Sequence, residues 1–228
     1  MIKVLDYGFV RLIDHMGTDV SVVRAARNSH DAAWRAGADA GSDTKLINYL
    51  WKHQHSTPFE AATFTFEVKA PIFVLRQWHR HRTQSYNEVS ARYTELPEEF
   101  YTPEPEAIGT QSTNNRQGRM DGGDLALREH QVDRYRNRCT EAFQEYKCFL
   151  MDGWPRELAR CVLPLSTYSK MFATMNLWNL LKFLTLRCDK HAQYEIRVSA
   201  DAMRDLVNPH FPVCIAAWES TNQTERPR

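Results

Sequence analysis

The chain has 228 residues with 29 Lys plus Arg against 28 Asp plus Glu, so it is long enough for one sizeable domain and close to electroneutral. That balance gives no overall case for coating nucleic acid or an anionic membrane, and any preference for anions must be local. No apolar run approaches about 18 residues and the N-terminal MIKVLDYGFVRLIDH interleaves charge too quickly for a secretory core, so a soluble, cytoplasmic protein is expected. Cys139, Cys148, Cys161, Cys188 and Cys214 form no CxxC pair and are odd in number, which favours reduced, buried thiols.

Ile2 to Asp14 holds two short apolar stretches broken around Asp6 to Gly8, the pattern of a strand pair. Asp19 to Arg27 has helical spacing, and Asp43 is placed to cap a helix through Leu46, Ile47, Leu50 and Trp51. From Ala62 to Val68, Phe64, Phe66 and Val68 alternate with Thr63, Thr65 and Glu67, as in a strand with one buried face. Pro71 suits the first turn of a helix that would carry Gln77 and Arg80 on one side. Pro97 to about residue 124 is rich in Glu, Pro, Asn, Gly and Thr and reads as a mobile surface excursion outside the core. Leu125 to Met151 is a long helical pattern stopped by Asp152-Gly153-Trp154-Pro155. A short helix from Arg156 to Val162, a β-branched and aromatic run from Leu165 to Met175, and a helix striped by Leu177, Leu180, Leu181 and Leu184 follow. A last helix covers about Tyr194 to Leu206 and is stopped at Asn208-Pro209. Strands interleaved with helices, without βαβ spacing, predict a single-domain α+β fold with a mostly antiparallel sheet packed with helices.

The densest chemistry is at Arg76, His79, Arg80, His81 and Arg82, five nitrogen-rich side chains within seven positions, followed by the polar run RTQSYNEVSARY. Only Glu88 lies nearby to offset them, so the segment reads as a site for phosphate or another oxyanion. On an unbroken helix Arg80, His81 and Arg82 point in different directions: either the helix ends there or they serve different parts of a large ligand. Glu88, Ser90 and Arg92, spaced by two, share a face if the chain is extended.

No GxGxxG or GxxxxGK[ST] loop is present, so a phosphate-bearing ligand has to be held by side chains. His53, His55, His79 and His81 look like two HxH pairs, yet arginines on both sides of His81 oppose a dication and no metal is expected. A hydroxyl nucleophile at Ser85 or Ser90 lacks a GxSxG elbow, and no cysteine sits in a recognisable reactive turn. Trp78, Tyr86 and Tyr93 among the arginines raise a single-stranded nucleic-acid binder as the reading from another class, opposed by the neutral charge and the absence of RNP, KH or zinc-knuckle patterns.

Arg80-His81-Arg82, seven residues, then Ser90 is the RHRx7S signature of the flavin-dependent thymidylate synthases, and APIFVLRQWHRHRTQSYNEVSARY resembles that family throughout. RAARNS at 24–29, HSTPFE at 55–60, ELARCVLPLSTY at 157–168 and LRCDKHAQYEI at 186–196 resemble further family blocks in the family's order. The resemblance implies conversion of dUMP to dTMP with 5,10-methylenetetrahydrofolate as carbon donor and NADPH-reduced FAD as hydride source, in a homotetramer with active sites at subunit interfaces. It implies FAD contacts at Thr57, Arg80, His81, Arg82, Glu88 and Asn176, and dUMP contacts at Gln77, Arg80, Glu88, Ser90, Arg92, Arg160 and Arg187. Arg187 matches the position that activates the uracil ring at N3. His55 is implied near the flavin or folate face, whereas Trp178 and Lys182 stand where some relatives place basic or amide side chains. His191 reads as a packing histidine, and Asn176 also fits a helix N-cap.

Overall fold

In a computed structural model, residues 1–114 and 116–223 are described; Asn115, inside the polar excursion, and 224–228 lie outside. The chain begins with β1 (Ile2–Val4) and β2 (Gly8–Met16), continues through α1 (Asp19–Asn28) and α2 (Ala40–Lys52), and reaches β3 (Thr63–Pro71) and α3 (Ile72–Trp78). After β4 (Ser85–Glu88) come α4 (Pro105–Ile108), β5 (Thr110–Gln111), β6 (Arg119–Met120) and α5 (Leu125–Met151). The C-terminal part holds α6 (Arg156–Ala159), β7 (Tyr168–Asn176), α7 (Leu177–Arg187), α8 (Tyr194–Val207) and α9 (Pro212–Gln223). The main sheet runs β1-β2-β3-β7-β4 with every pairing antiparallel, as the α+β expectation required.

Alternation fixes which face is buried. Phe64, Phe66, Val68 and Ala70 of β3 and Met171, Ala173 and Met175 of β7 point into one core, completed by Leu177, Leu180, Leu181, Phe183 and Leu184 of α7. Gly8 is required where β1 turns into β2, because a Cβ there would stand 2.6 Å from the Val4 carbonyl and 2.9 Å from that of Lys69.

Several expectations need correction. Asp39, not Asp43, caps α2 by accepting from the Gly41 and Ser42 amides, while Asp43 is buried and pairs with Arg27 at 2.7 Å. Pro71 closes β3 and sits at the N-cap of α3, one residue earlier than a first helical turn. The excursion from Pro97 is not all outside the core: Tyr101 is buried, and Phe100 packs beside Phe143 and Tyr146. All five cysteines are free thiols, but Cys148 and Cys161 are exposed rather than buried. The sequence pattern does not predict the helix that follows α8. Its start is stabilised by a distant residue, since the Asp19 carboxylate accepts from the Val213 and Cys214 amides at 2.9 Å.

Candidate functional site

The basic segment is shaped by the end of α3. That helix stops at Trp78, and Tyr86 bonds its hydroxyl to the carbonyls of Trp78 (3.1 Å) and His81 (2.8 Å), tying down the turn. Burial pushes the Tyr86 phenol up to about 12, so it stays a donor. The open alternative is thereby resolved: Arg80, His81 and Arg82 lie beyond the helix, and Arg80 is not a helical neighbour of Gln77. Arg80 and Arg82 are exposed, and among the described residues neither forms an ion pair.

Trp78 and His81 both pack on Phe183 of α7, with ring centroids 4.6 and 4.7 Å away. Four residues on, along the same helical face, is Arg187. Its Nε–H donates to His81 Nε2 at 3.0 Å and its Nη1 reaches Gln77 Oε1 at 3.5 Å. A guanidinium has no acceptor, so His81 must be neutral with its proton on Nδ1. Burial, then the positive charge of Arg187, lowers the His81 pKa to about 4. Burial also lowers the Arg187 pKa from its ordinary value. Gln77 in turn donates from Nε2 to Gln193 Oε1, so a continuous chain runs Gln193, Gln77, Arg187, His81.

A second group forms after β4. Glu88 faces His79 at 3.8 Å. Beyond it the backbone turns: the Tyr93 and Thr94 amides donate to the Ser90 carbonyl, and Ser90 Oγ accepts from the Arg92 amide at 3.3 Å. The extended reading of Glu88, Ser90 and Arg92 therefore fails, because a turn closed on Ser90 breaks the two-residue period. Arg92 instead reaches the Glu157 carboxylate at 3.3 Å, and Arg160 donates from Nε to the Glu157 carbonyl at 3.3 Å. Glu157 thus brings together two arginines separated by 68 positions in sequence.

The remaining expected residues are spread more widely. Thr57 is itself exposed and opens a 3-10 turn that buries Phe59. The Asn176 side-chain oxygen caps α7 by accepting from the Asn179 amide at 2.9 Å, as its sequence position allowed. Trp178 packs against Trp51 and Phe59, and Lys182 is exposed. His53 and His55 stand over Tyr49. His191 is exposed rather than packed, and bonds Asp189. Of the rings weighed for stacking, Trp78 is fully buried and Tyr86 is bonded into the turn, whereas Tyr93 is 81% exposed.

Over residues 11–213 the chain matches the family model described as thymidylate synthase complementing protein. The chain belongs to the thymidylate synthase complementing protein family. It is 45% identical over 216 residues to a flavin-dependent thymidylate synthase of Wolbachia pipientis wMel, covering 95% of this chain and 75% of that protein. It is 46% identical over 218 residues to one of Thermus thermophilus, covering 96% and 78%. Among solved structures it resembles a UMP/dUMP methylase, PolB of Streptomyces cacaoi, bound with 5-Br dUMP: TM-score 0.85, 36% identity, 96% of this chain and 97% of that one.

For a member of this family, the sequence-based set omitted two residues that the geometry brings forward. Tyr86, weighed only as a stacking ring, bonds the carbonyls at the turn. Gln193 lies inside the LRCDKHAQYEI block with no role attached, and its partner Gln77 is 116 positions away, so no local pattern links them. Gln193 also lines a cavity of about 650 Å³ with Arg119, Lys190, Tyr194 and Arg197.

Proposed function

We propose that this protein is a flavin-dependent thymidylate synthase, converting dUMP to dTMP with 5,10-methylenetetrahydrofolate as carbon donor and FAD, reduced by NADPH, as cofactor. The observation that carries the reading is the Arg187 guanidinium, held by His81 and Gln77 beside the Arg80-His81-Arg82 turn, in a chain 45% identical to a protein of that name.

The donor set fits an anionic dinucleotide. Arg80 and Arg82 keep guanidinium groups uncommitted to any carboxylate among the described residues, and His81 keeps an Nδ1–H. In this reading Thr57, Arg80, His81, Arg82, Glu88 and Asn176 hold FAD, which supplies the hydride when bound. Gln77, Arg80, Glu88, Ser90, Arg92, Arg160 and Arg187 hold dUMP. Arg92 and Arg160 suit the phosphate: the Arg92–Glu157 pair is more than half exposed, so it contributes little and yields readily to a dianion. Arg187 is the catalytic residue. Its fixed charge stabilises negative charge that develops on the uracil ring as C5 becomes nucleophilic, an effect strengthened where water is partly excluded.

The same reading takes residues 1–228 as one functional domain and the assembly as a homotetramer with active sites at subunit interfaces, in the cytoplasm, with no metal and no nucleic-acid partner. Among the described residues no helix is long and apolar enough to cross a membrane. The test is direct. Purified protein should be yellow, bleach with NADPH without oxygen, and form dTMP from dUMP, with UMP assayed in parallel because the related methylase was also solved with 5-Br UMP. Colourless protein that fails to take up added FAD would overturn the assignment.

A further inference from the structure

We infer that Gln193 is a positioning residue for Arg187, acting through Gln77. The inference rests on the proposed role of Arg187 for its catalytic meaning, but the contacts stand without it.

Polarity comes first. Arg187 offers only donors, so the Gln77 atom facing it must be the amide oxygen, which turns the Gln77 NH₂ outward. That group donates to Gln193 Oε1. Gln193 supports this rotation of the Gln77 amide by accepting from its NH₂: without an acceptor there, the rotation loses a bond and the flipped amide, which presents NH₂ to a guanidinium, gains population. Arg187 would then keep one side-chain anchor, His81, and its guanidinium would be free to swing about the Nε bond.

Gln193 is built to do this. It occupies the N-cap of α8, yet its side chain makes no capping bond, so it is not engaged in holding the helix. Its backbone is fixed from both sides: its carbonyl accepts from the Arg197 amide at 3.0 Å, and the preceding turn is closed by the Ala192 amide on the Asp189 carbonyl at 2.9 Å. Arg197 Nη1 also bonds the Lys190 carbonyl at 3.0 Å, bracing the same turn. An exposed side chain on a hydrogen-bonded turn, engaged with Gln77 and not with its own helix, is placed for orienting Gln77.

Two variants separate orientation from general damage. Gln193→Leu keeps the approximate shape and removes the acceptor, while Gln193→Glu keeps a carboxylate oxygen that can accept from Gln77. With FAD-loaded enzyme, Gln193→Leu should lower kcat/KM for dUMP about tenfold, since Gln77 and Arg187 both belong to the proposed dUMP set, and Gln193→Glu should recover most of it. In parallel, ¹⁵N relaxation of the Arg187 Nε–H, identified by its loss in Arg187→Lys, should show the order parameter falling below about 0.6 in Gln193→Leu and retained in Gln193→Glu. Wild-type order of Arg187 in Gln193→Leu, or equal loss in both variants, overturns the inference. If Arg187 loosens as expected but the wild type forms no dTMP, the positioning role stands and the assigned reaction falls.

Discussion

Arg187 and His81 are joined by a hydrogen bond of fixed direction, Nε–H to Nε2 at 3.0 Å, between residues 106 positions apart. The bond holds a cation against a ring that must stay neutral to accept it. Arg187→Ala should therefore cut dTMP formation by at least about a hundredfold, the scale for removing one fixed donor from a developing anion. The flavin absorption of the variant should remain. Substantial turnover in Arg187→Ala would remove it from the catalytic role.

The neutral His81 also predicts a pH dependence of stability. Its folded pKa, about 4, lies below the ordinary 6.5, so the unfolded chain takes up the proton first. Stability from this site is unaffected above about 6.5, falls as pH drops towards 4, and then levels off. Urea midpoints collected between about pH 7.5 and 4.5 should decline more steeply for the wild type than for His81→Gln, which has no ring to protonate.

Glu195 is 2% exposed and takes both the Tyr101 hydroxyl (3.1 Å) and Arg119 Nη1 (3.0 Å) on one oxygen. Arg119→Ala should lower stability by about 1–3 kcal/mol, because it strands a buried carboxylate. Adding Glu195→Gln should return part of that loss. Chemical denaturation of the four proteins of the cycle measures the coupling, and simple additivity would mean the pair is not energetically joined.

At the sheet end, Gly8→Ala would press a methyl against two backbone carbonyls that belong to neighbouring strands. Neither can move without disturbing the ladder, so a loss of about 1–3 kcal/mol is expected in urea unfolding.

The helices and strands with strong periodicity were legible from residues alone. Leu125 to Met151 is one helix with those bounds, and the Phe64, Phe66, Val68 alternation is a central strand. What escaped depends on distant partners. α9 is capped from α1 by Asp19, a pairing across 194 positions that no local stop or start signal records. Local turn chemistry defeated the extended reading at Ser90, where its own hydroxyl bonds the Arg92 amide. In the candidate site, the RHRx7S spacing pointed to the residues, but the link from Arg187 back to His81 and Gln77 is tertiary, made where Phe183 of α7 packs on Trp78 and His81 at the end of α3.

β4 is the outermost strand, and among the described residues only β7 pairs with it. Its outer side therefore offers unpaired amides and carbonyls, a template on which another chain could add a strand. Arg80 and Arg82 stand exposed just before that strand, and charge beside an open edge opposes its use as a template. The cations assigned to ligand are thus also charges beside an open strand edge of the single chain. Neutralising them to probe ligand binding has a cost in colloidal behaviour: Arg80→Ala/Arg82→Ala protein should precipitate at lower concentration than the wild type, and its activity is best compared in dilute solution.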